Sequence, residues 1–325
     1  MPSPDTTLAT LRPDLATFYE FDLESEKAGF IANEVFPVVE VASRDGTYGI
    51  IPVEQLLAER DTKRAPGSGY SRGEFTFDDV SYATKEHGAE DPIDDNEAEA
   101  YREYFDAEVV STARCFGSIL RNYERRVADA VFNTTTWTGA GLTTAITNEW
   151  DDLTNAVPIT DVEAATKVLY NGSGLWPNAL IVNKRVYRNL RNCDQIKDRI
   201  ASAGAGASHV PGLVTNAMIA EVFDVDYLIV AGASRNSAVE GAAATPVQIW
   251  SDEYAMLCKI ATSGDMKEPC IGRTFHWAAD GSSIGGTVET YRDEVVRGNV
   301  VRVRHQTIEV VLYAQAGHLL SNITT

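Results

Sequence analysis

Apolar positions recur at spacings of three and four along one stretch of the chain: Tyr101, Tyr104, Phe105, Val109, Thr112, Phe116, Ile119, Tyr123, Val127 and Val131. That periodicity places them on one face of a helix. The pattern predicts a single helix from about Asp94 to Asn133, at 1.5 Å per residue ~60 Å long, against a mean of ~11–12 residues. Asp94 or Asp95 supplies an N-cap, and Glu97 and Glu99 load the first turns. Arg114, Arg121, Arg125 and Arg126 populate the later half. Each sign complements the helix dipole at its end. The threonine- and glycine-rich stretch 134–141 stops the helix. An element this long spans a protein rather than packing inside it.

On either side the pattern changes. In residues 1–60, Leu11, Phe18, Phe21, Phe30, Phe36 and Val38 are scattered among acids and prolines, which predicts an arm lying on another surface rather than a small domain. Residues 59–73 are basic, glycine-rich and turn-prone. Phe75, Phe77, Val80 and Tyr82 then read as strand positions, so 59–92 reads as a long hairpin around a glycine-rich tip. A hairpin alone is marginally stable, so it too needs a neighbour.

From 142 to 261 the chain alternates helix and strand. Thr160 to Glu163 reads as a capping box with Val162, Ala165, Val168 and Leu169 behind it, and Gly172 and Gly174 as its stop. Residues 178–182 read as a buried strand, Asn183 as the cap of a basic helix, 202–212 as a loop and 215–223 as a short helix. Strands follow near 225–231, 246–250, 254–261 and 270–277. Residues 300–312 alternate through Val301, Arg302, Val303 and Arg304, as a strand with one solvated face does.

Composition narrows the function. Across 325 residues, 44% are hydrophobic, enough for about two domains. The formal charge is −19, so bulk charge does not drive coating of nucleic acid. No apolar run approaches ~18 residues, and the N-terminal residues lack a basic segment followed by an apolar one, so neither a membrane helix nor a signal peptide is expected. Cys115, Cys193, Cys258 and Cys270 form no C-x-x-C pair and read as reduced, buried small hydrophobes. His87, His209, His276, His305 and His318 have no metal-ligand spacing. Asp91, Asp94, Asp95 and Glu97 lack the alternation and central glycine of a calcium loop. Gly204 and Gly206 lack the partners of a phosphate loop, and no G-x-S-x-G turn is present. No catalytic, cofactor or metal residue is assigned.

The order of arm, basic hairpin, long helix, αβ domain and returning strand resembles the major capsid protein of tailed bacteriophages, a fold shared with encapsulins and the herpesvirus capsid floor. The residues that carry the likeness are Arg64–Gly67 with 75–82, the helix 94–133, Asn178–Asn183 with Tyr187, and Val301–Arg304 with Ala316–Asn322. The resemblance implies an α+β fold: an N-terminal arm at 1–58, an extended loop at 59–92, a peripheral domain with a long spine helix at 93–141 and 262–310, and an axial αβ domain at 142–261 and 311–325. It implies pentamers and hexamers of an icosahedral shell enclosing double-stranded DNA, in a virion assembled in the host cytoplasm, with a separate scaffolding protein, a portal and decoration proteins as partners and no membrane. An encapsulin-type nanocompartment is the alternative.

Within that frame Arg60, Lys63, Arg64, Arg72, Phe75 and Phe77 of the loop are expected to meet a neighbouring subunit. Its acidic counterpart is expected at Glu90, Asp91, Asp94, Asp95, Glu97 and Glu99. Tyr101, Phe105, Phe116 and Tyr123 form the core of the spine helix. Some relatives cross-link a loop lysine to a neighbour's asparagine; Lys63 and Lys85 are the lysines here, and the sequence identifies no partner.

Overall fold

The computed structural model describes residues 10–11, 29–52, 55, 57–59, 61–73, 76, 78–101, 106–139, 141–202, 214–239, 241–266 and 268–324. Arg60, Phe75, Phe77, Phe105, His209, the 203–213 loop and most of residues 1–28 lie outside them, as does the side chain of Tyr101.

In chain order the strands are β1 (Thr10–Leu11), β2 (Val38–Glu40), β3 (Asp45–Ile50), β4 (Asp78–Ala83), β5 (Lys85–Asp94), β6 (Thr143–Ala145), β7 (Ala179–Asn183), β8 (Tyr227–Ala231), β9 (Ser234–Asn236), β10 (Pro246–Gln248), β11 (Tyr254–Cys258), β12 (Gly272–His276), β13 (Thr287–Asp293), β14 (Gly298–Val311) and β15 (Gly317–Ser321). The helices are α1 (Ala32–Val35), α2 (Asp95–Tyr101), α3 (Ala107–Val131), α4 (Pro158–Ser173), α5 (Lys184–Asn192), α6 (Asp194–Ser202) and α7 (Asn216–Val222).

Two sheets organise the molecule. One has the order β1-β13-β14-β12-β2, with β5 also on β14. The other runs β6-β15-β11-β7-β8. Every residue of β7 is buried. Ala179 and Ile181 face one core cluster, Leu180 and Val182 the other. A strand covered on both faces loses the apolar–polar alternation, which is why 178–182 reads as a continuous apolar run. Helices α4 to α7 cover one face, and the other packs on α1 and the C-terminal half of α3.

The long helix joins the two sheets. Cys115, Phe116 and Ile119 pack with Ile93, Val288, Val301 and Val303 of the first sheet. Tyr123, Val127 and Val131 enter the core beneath the second. The apolar stripe is therefore real, but the helix is shorter than its periodicity suggests. Asp106 is its N-cap, with extended backbone and a side chain that accepts from the N–H of Glu108.

Residues 85–94, expected to close the hairpin and open the helix, instead form β5. They pair in register with 298–307, so Asp94 ends a strand; its carboxylate accepts from the N–H of Asn96 at the start of short α2. Acids and glycine fill the outer positions of β5, which hides the period-two signal. Of the hairpin strands, β4 holds the expected strand positions Val80 and Tyr82, while its partner β3 lies at 45–50, ahead of the expected start at 59.

Two further expectations are corrected. Helix α4 begins at Pro158 with Val157 as an N-cap that makes no side-chain bond, so Thr160 lies inside the helix and no capping box forms. Proline at the first helical position supplies the start instead. Residues 29–40, placed in the arm, are part of the body: Ile31, Ala32, Val35 and Phe36 are buried, and β2 pairs parallel with β12. Asn183 and Thr215 do cap α5 and α7, and Gly174 ends α4 in the left-handed conformation. The four cysteines are buried and unpaired.

Candidate assembly surfaces

The tip of the hairpin builds its own shape. Ala65-Pro66-Gly67-Ser68 forms a β-turn closed by the Ser68 N–H on the Ala65 carbonyl, with Gly67 at φ 82°. Proline in the second place and glycine at positive φ in the third are what a type II turn requires. The Arg64 guanidinium donates to the Ser68 carbonyl at 2.6 Å and lies over the Tyr70 ring, 4.8 Å from its centre. Lys63, Arg64 and Arg72 are exposed, and Tyr70 is 72% exposed. The ring, with the arginine stacked on it, is open to solvent.

The base of the hairpin is anchored. Tyr48 and Tyr82 place their rings 5.5 and 4.9 Å from buried Phe275 of β12. Thr84 donates through its N–H and its hydroxyl to the Arg44 carbonyl, and Gln306 of β14 donates to the Thr84 hydroxyl. The tip thus projects from a fixed root.

The acidic stretch engages arginines of this same chain. Glu90 faces Arg302 directly across the β5–β14 ladder and pairs with it, and Arg302 reaches Glu289 of β13 on its other side at 3.4 Å. Arg304 pairs with Glu289 at 2.9 Å and Asp280 at 2.6 Å. Burial opposes ionisation of Asp280, but bonds from Ser282 and Arg304 outweigh it and hold its pKa below the usual carboxylate range. Asp91 lies 3.3 Å from Arg114, and Asp95 is bridged by Arg292 through two hydrogen bonds. The structure brings Glu90, Asp91 and Asp95 to these arginines rather than to Lys63 or Arg64 of the loop. The alternation of Arg302 and Arg304 with buried valines pointed to a solvated face; that face is a charge ladder across three strands.

The roles of two polar groups on α3, buried Glu124 and half-buried Arg126, went unrecognised in the sequence. Glu124 is 1% exposed and accepts three hydrogen bonds, from the N–H groups of Ile31 and Ala32 at 2.9 Å each and from the Trp250 indole at 2.6 Å. It ties α1, α3 and the segment between β10 and β11 at one point. Burial raises its pKa, the three donors opposing that rise. An acid beside Tyr123 on the apolar stripe was the available signal.

Arg126 bridges Glu309 of β14 through two hydrogen bonds of 2.9 and 3.0 Å, and touches His305 at 3.4 Å. Because arginine only donates, His305 Nε2 is an acceptor and Nδ1–H donates to the Ile284 carbonyl at 3.0 Å. The imidazole is therefore neutral, and burial, with the nearby Arg126 and His87, pushes its pKa down to about 4.

Among the described residues no group of three His, Cys, Asp or Glu is placed to hold a metal ion, and no helix is long and apolar enough to cross a membrane. The arrangement is one of straps, ladders and latches.

No family profile matches the chain. It is 24% identical over 295 residues to the major capsid protein of Pseudomonas phage JBD67, an alignment covering 90% of this chain and 91% of the relative. The crystal structure of a phage-related protein from Bordetella bronchiseptica superposes with a TM-score of 0.68 at 20% identity, over 97% and 98% of the two chains. The capsid structure of the cyanophage P-SCSP1u gives 0.58 at 10% identity, over 88% and 86%. The fold is that of phage capsid proteins.

Proposed function

We propose that this chain is the major capsid protein of a tailed bacteriophage, self-assembling into the icosahedral head shell around double-stranded DNA. The observation that carries this is end-to-end similarity: nine-tenths of the chain aligns with nine-tenths of a phage major capsid protein. The work of such a protein is mechanical, and its stability belongs to the assembly.

The exposed, anchored hairpin is the strap in this reading. Lys63, Arg64 and Arg72 reach a neighbouring subunit, where the acidic stretch 90–99 is their counterpart. Residues 93–141 and 262–310 form the shell wall, and 142–261 with 311–325 cluster around the five- and six-fold axes. Scaffolding, portal and decoration proteins are the expected partners, and assembly takes place in the host cytoplasm.

Electron microscopy of purified particles, with nucleic acid read by absorbance, tests the proposal. Icosahedral shells carrying duplex DNA are expected. Small shells filled with one protein would indicate the encapsulin alternative, and failure to form any shell with scaffold present would overturn both.

A further inference from the structure

In a chain of charge −19, the cations are not spread evenly. Two neighbouring clefts collect them. One, of about 700 Å³, is lined by Lys184, Arg185, Tyr187, Arg188 and Arg191 of α5, with Gln248 of β10. The other, of about 520 Å³, is lined by Arg121 and Arg125 of α3 and Arg235 of β9, with Pro246 of β10. The two clefts meet along β10: Gln248 and Pro246 are two residues apart on that strand, a separation of ~7 Å. Four cations in the first cleft and three in the second come from a total of 28. Among the described residues neither lining contains an Asp or Glu.

The rest of the lining is informative. Ser118, Asn122, Ser234 and Asn236 join the arginines of the second cleft, and Asn192 those of the first. Hydroxyl, amide and guanidinium groups in this mixture are the ones that bind phosphate oxygens. A protein interface would instead carry an apolar, aromatic centre; the second cleft has only Pro246, and the first a single aromatic ring, Tyr187, with Arg191 5.7 Å from its centre. Two flanking acids meet cations of the clefts: Asp252 pairs with Arg185 at 2.8 Å and Asp129 approaches Arg125 at 4.0 Å.

We infer that these two clefts are a phosphate-backbone contact for duplex DNA, sequence-independent, on the face of the subunit turned toward the shell's contents. The inference rests on the shell reading for the identity of the polyanion. A net-negative subunit with one local cationic band would hold the outermost turn of DNA in place while the remaining surface repels it. Such contacts are weak singly and salt-dependent, and add up over an array.

The test is binding of a labelled random-sequence 30-base-pair DNA duplex to the full-length chain, across a salt series. The variant is Arg125→Gln, Lys184→Gln and Arg188→Gln together, three exposed side chains. A control pair, Lys63→Gln and Arg72→Gln on the hairpin tip, removes charge elsewhere. Thermal melting checks that each variant folds. The cleft variant should bind at least tenfold more weakly at low salt, and its slope of log K against log salt should fall by about one for each phosphate left without its cation. The tip control should bind as the parent does. Equal losses in both, or no DNA binding by the parent chain, would overturn the inference. So would labelled polyglutamate binding more tightly than DNA, which would assign the clefts to an acidic protein. Microscopy of the same variants keeps the two proposals apart: shells that form with unchanged DNA binding sink only the clefts, and cleft-dependent binding without shells sinks only the capsid.

Discussion

At the scale of single residues, the most consequential side chain is Glu124. Three N–H groups from two distant parts of the chain converge on one carboxylate. Glu124→Ala leaves all three buried and unpaired, each costing about 1–3 kcal/mol. A loss of at least about 3 kcal/mol is expected in denaturant unfolding, with Glu124→Gln, which still presents an acceptor oxygen, losing less; equal losses would dismiss the latch. His305 sets a pH dependence. Its folded pKa of about 4 lies below the ordinary imidazole value, so the unfolded chain binds the extra proton first. Stability from this residue is complete above about pH 6.5 and drains away as pH falls toward 4. The full effect is of order 3 kcal/mol at ~1.4 kcal/mol per pKa unit. His318, also held at about 4 by burial, adds to the same window. Melting of His305→Gln between pH 4 and 7 should show a flatter profile than the parent; parallel curves would mean the ring does not titrate as its surroundings imply.

At the scale of elements, the joint between α3 and β14 matters most. Arg126 and Glu309 form a two-point bridge with Glu309 only 7% exposed. Removing Arg126 strands a buried carboxylate, at a cost of about 3–5 kcal/mol. Replacing both, Arg126→Met with Glu309→Leu, should recover most of that loss in a double-mutant cycle. No recovery would show that the bridge is not the source. Much of the element layout was legible beforehand. The stripe from Thr112 to Val131, the cap at Asn183, strand β7 and the alternation of β14 stand where the pattern placed them. The failures have a common origin. β5 carries Glu86, Glu90 and Pro92 outward and only Ala89 and Ile93 as apolar inward positions, so its periodicity is faint. The arginines that make those acids compatible with a sheet lie some two hundred residues further on. Local pattern cannot register a partner that distant. Within the acidic stretch, Glu90, Asp91 and Asp95 have arginine partners in the same chain, Arg302, Arg114 and Arg292, which the sequence does not name.

At the scale of the whole molecule, function depends on what protrudes. The hairpin tip is ordered by its own turn and by the Arg64–Tyr70 stack, and its root is packed on Phe275. Arg64→Glu removes the stack and reverses the charge offered to a neighbour, while touching nothing in the core. Shell yield by sedimentation should drop severalfold, with the melting temperature of the unassembled subunit within about 1 °C of the parent, as for surface substitutions generally. Normal shells from this variant would remove the tip from the assembly reading.

The continuity of β4 into β5 has a mechanical meaning. Only Thr84 separates the strand that roots the hairpin from the strand that lies along β14 for ten paired residues. Tension on a strap held by its neighbour runs down that strand lengthwise. It meets the ladder in shear, with many hydrogen bonds loaded together, rather than peeling them open one at a time. The same strand, β14, is gripped on its far stretch by β12 and hands the chain on through Leu312 to Ala316 into β15 of the second sheet. A pull at one rim of the subunit is thus shared by both halves of its body, as in a woven fabric whose threads carry load past the stitch where it enters.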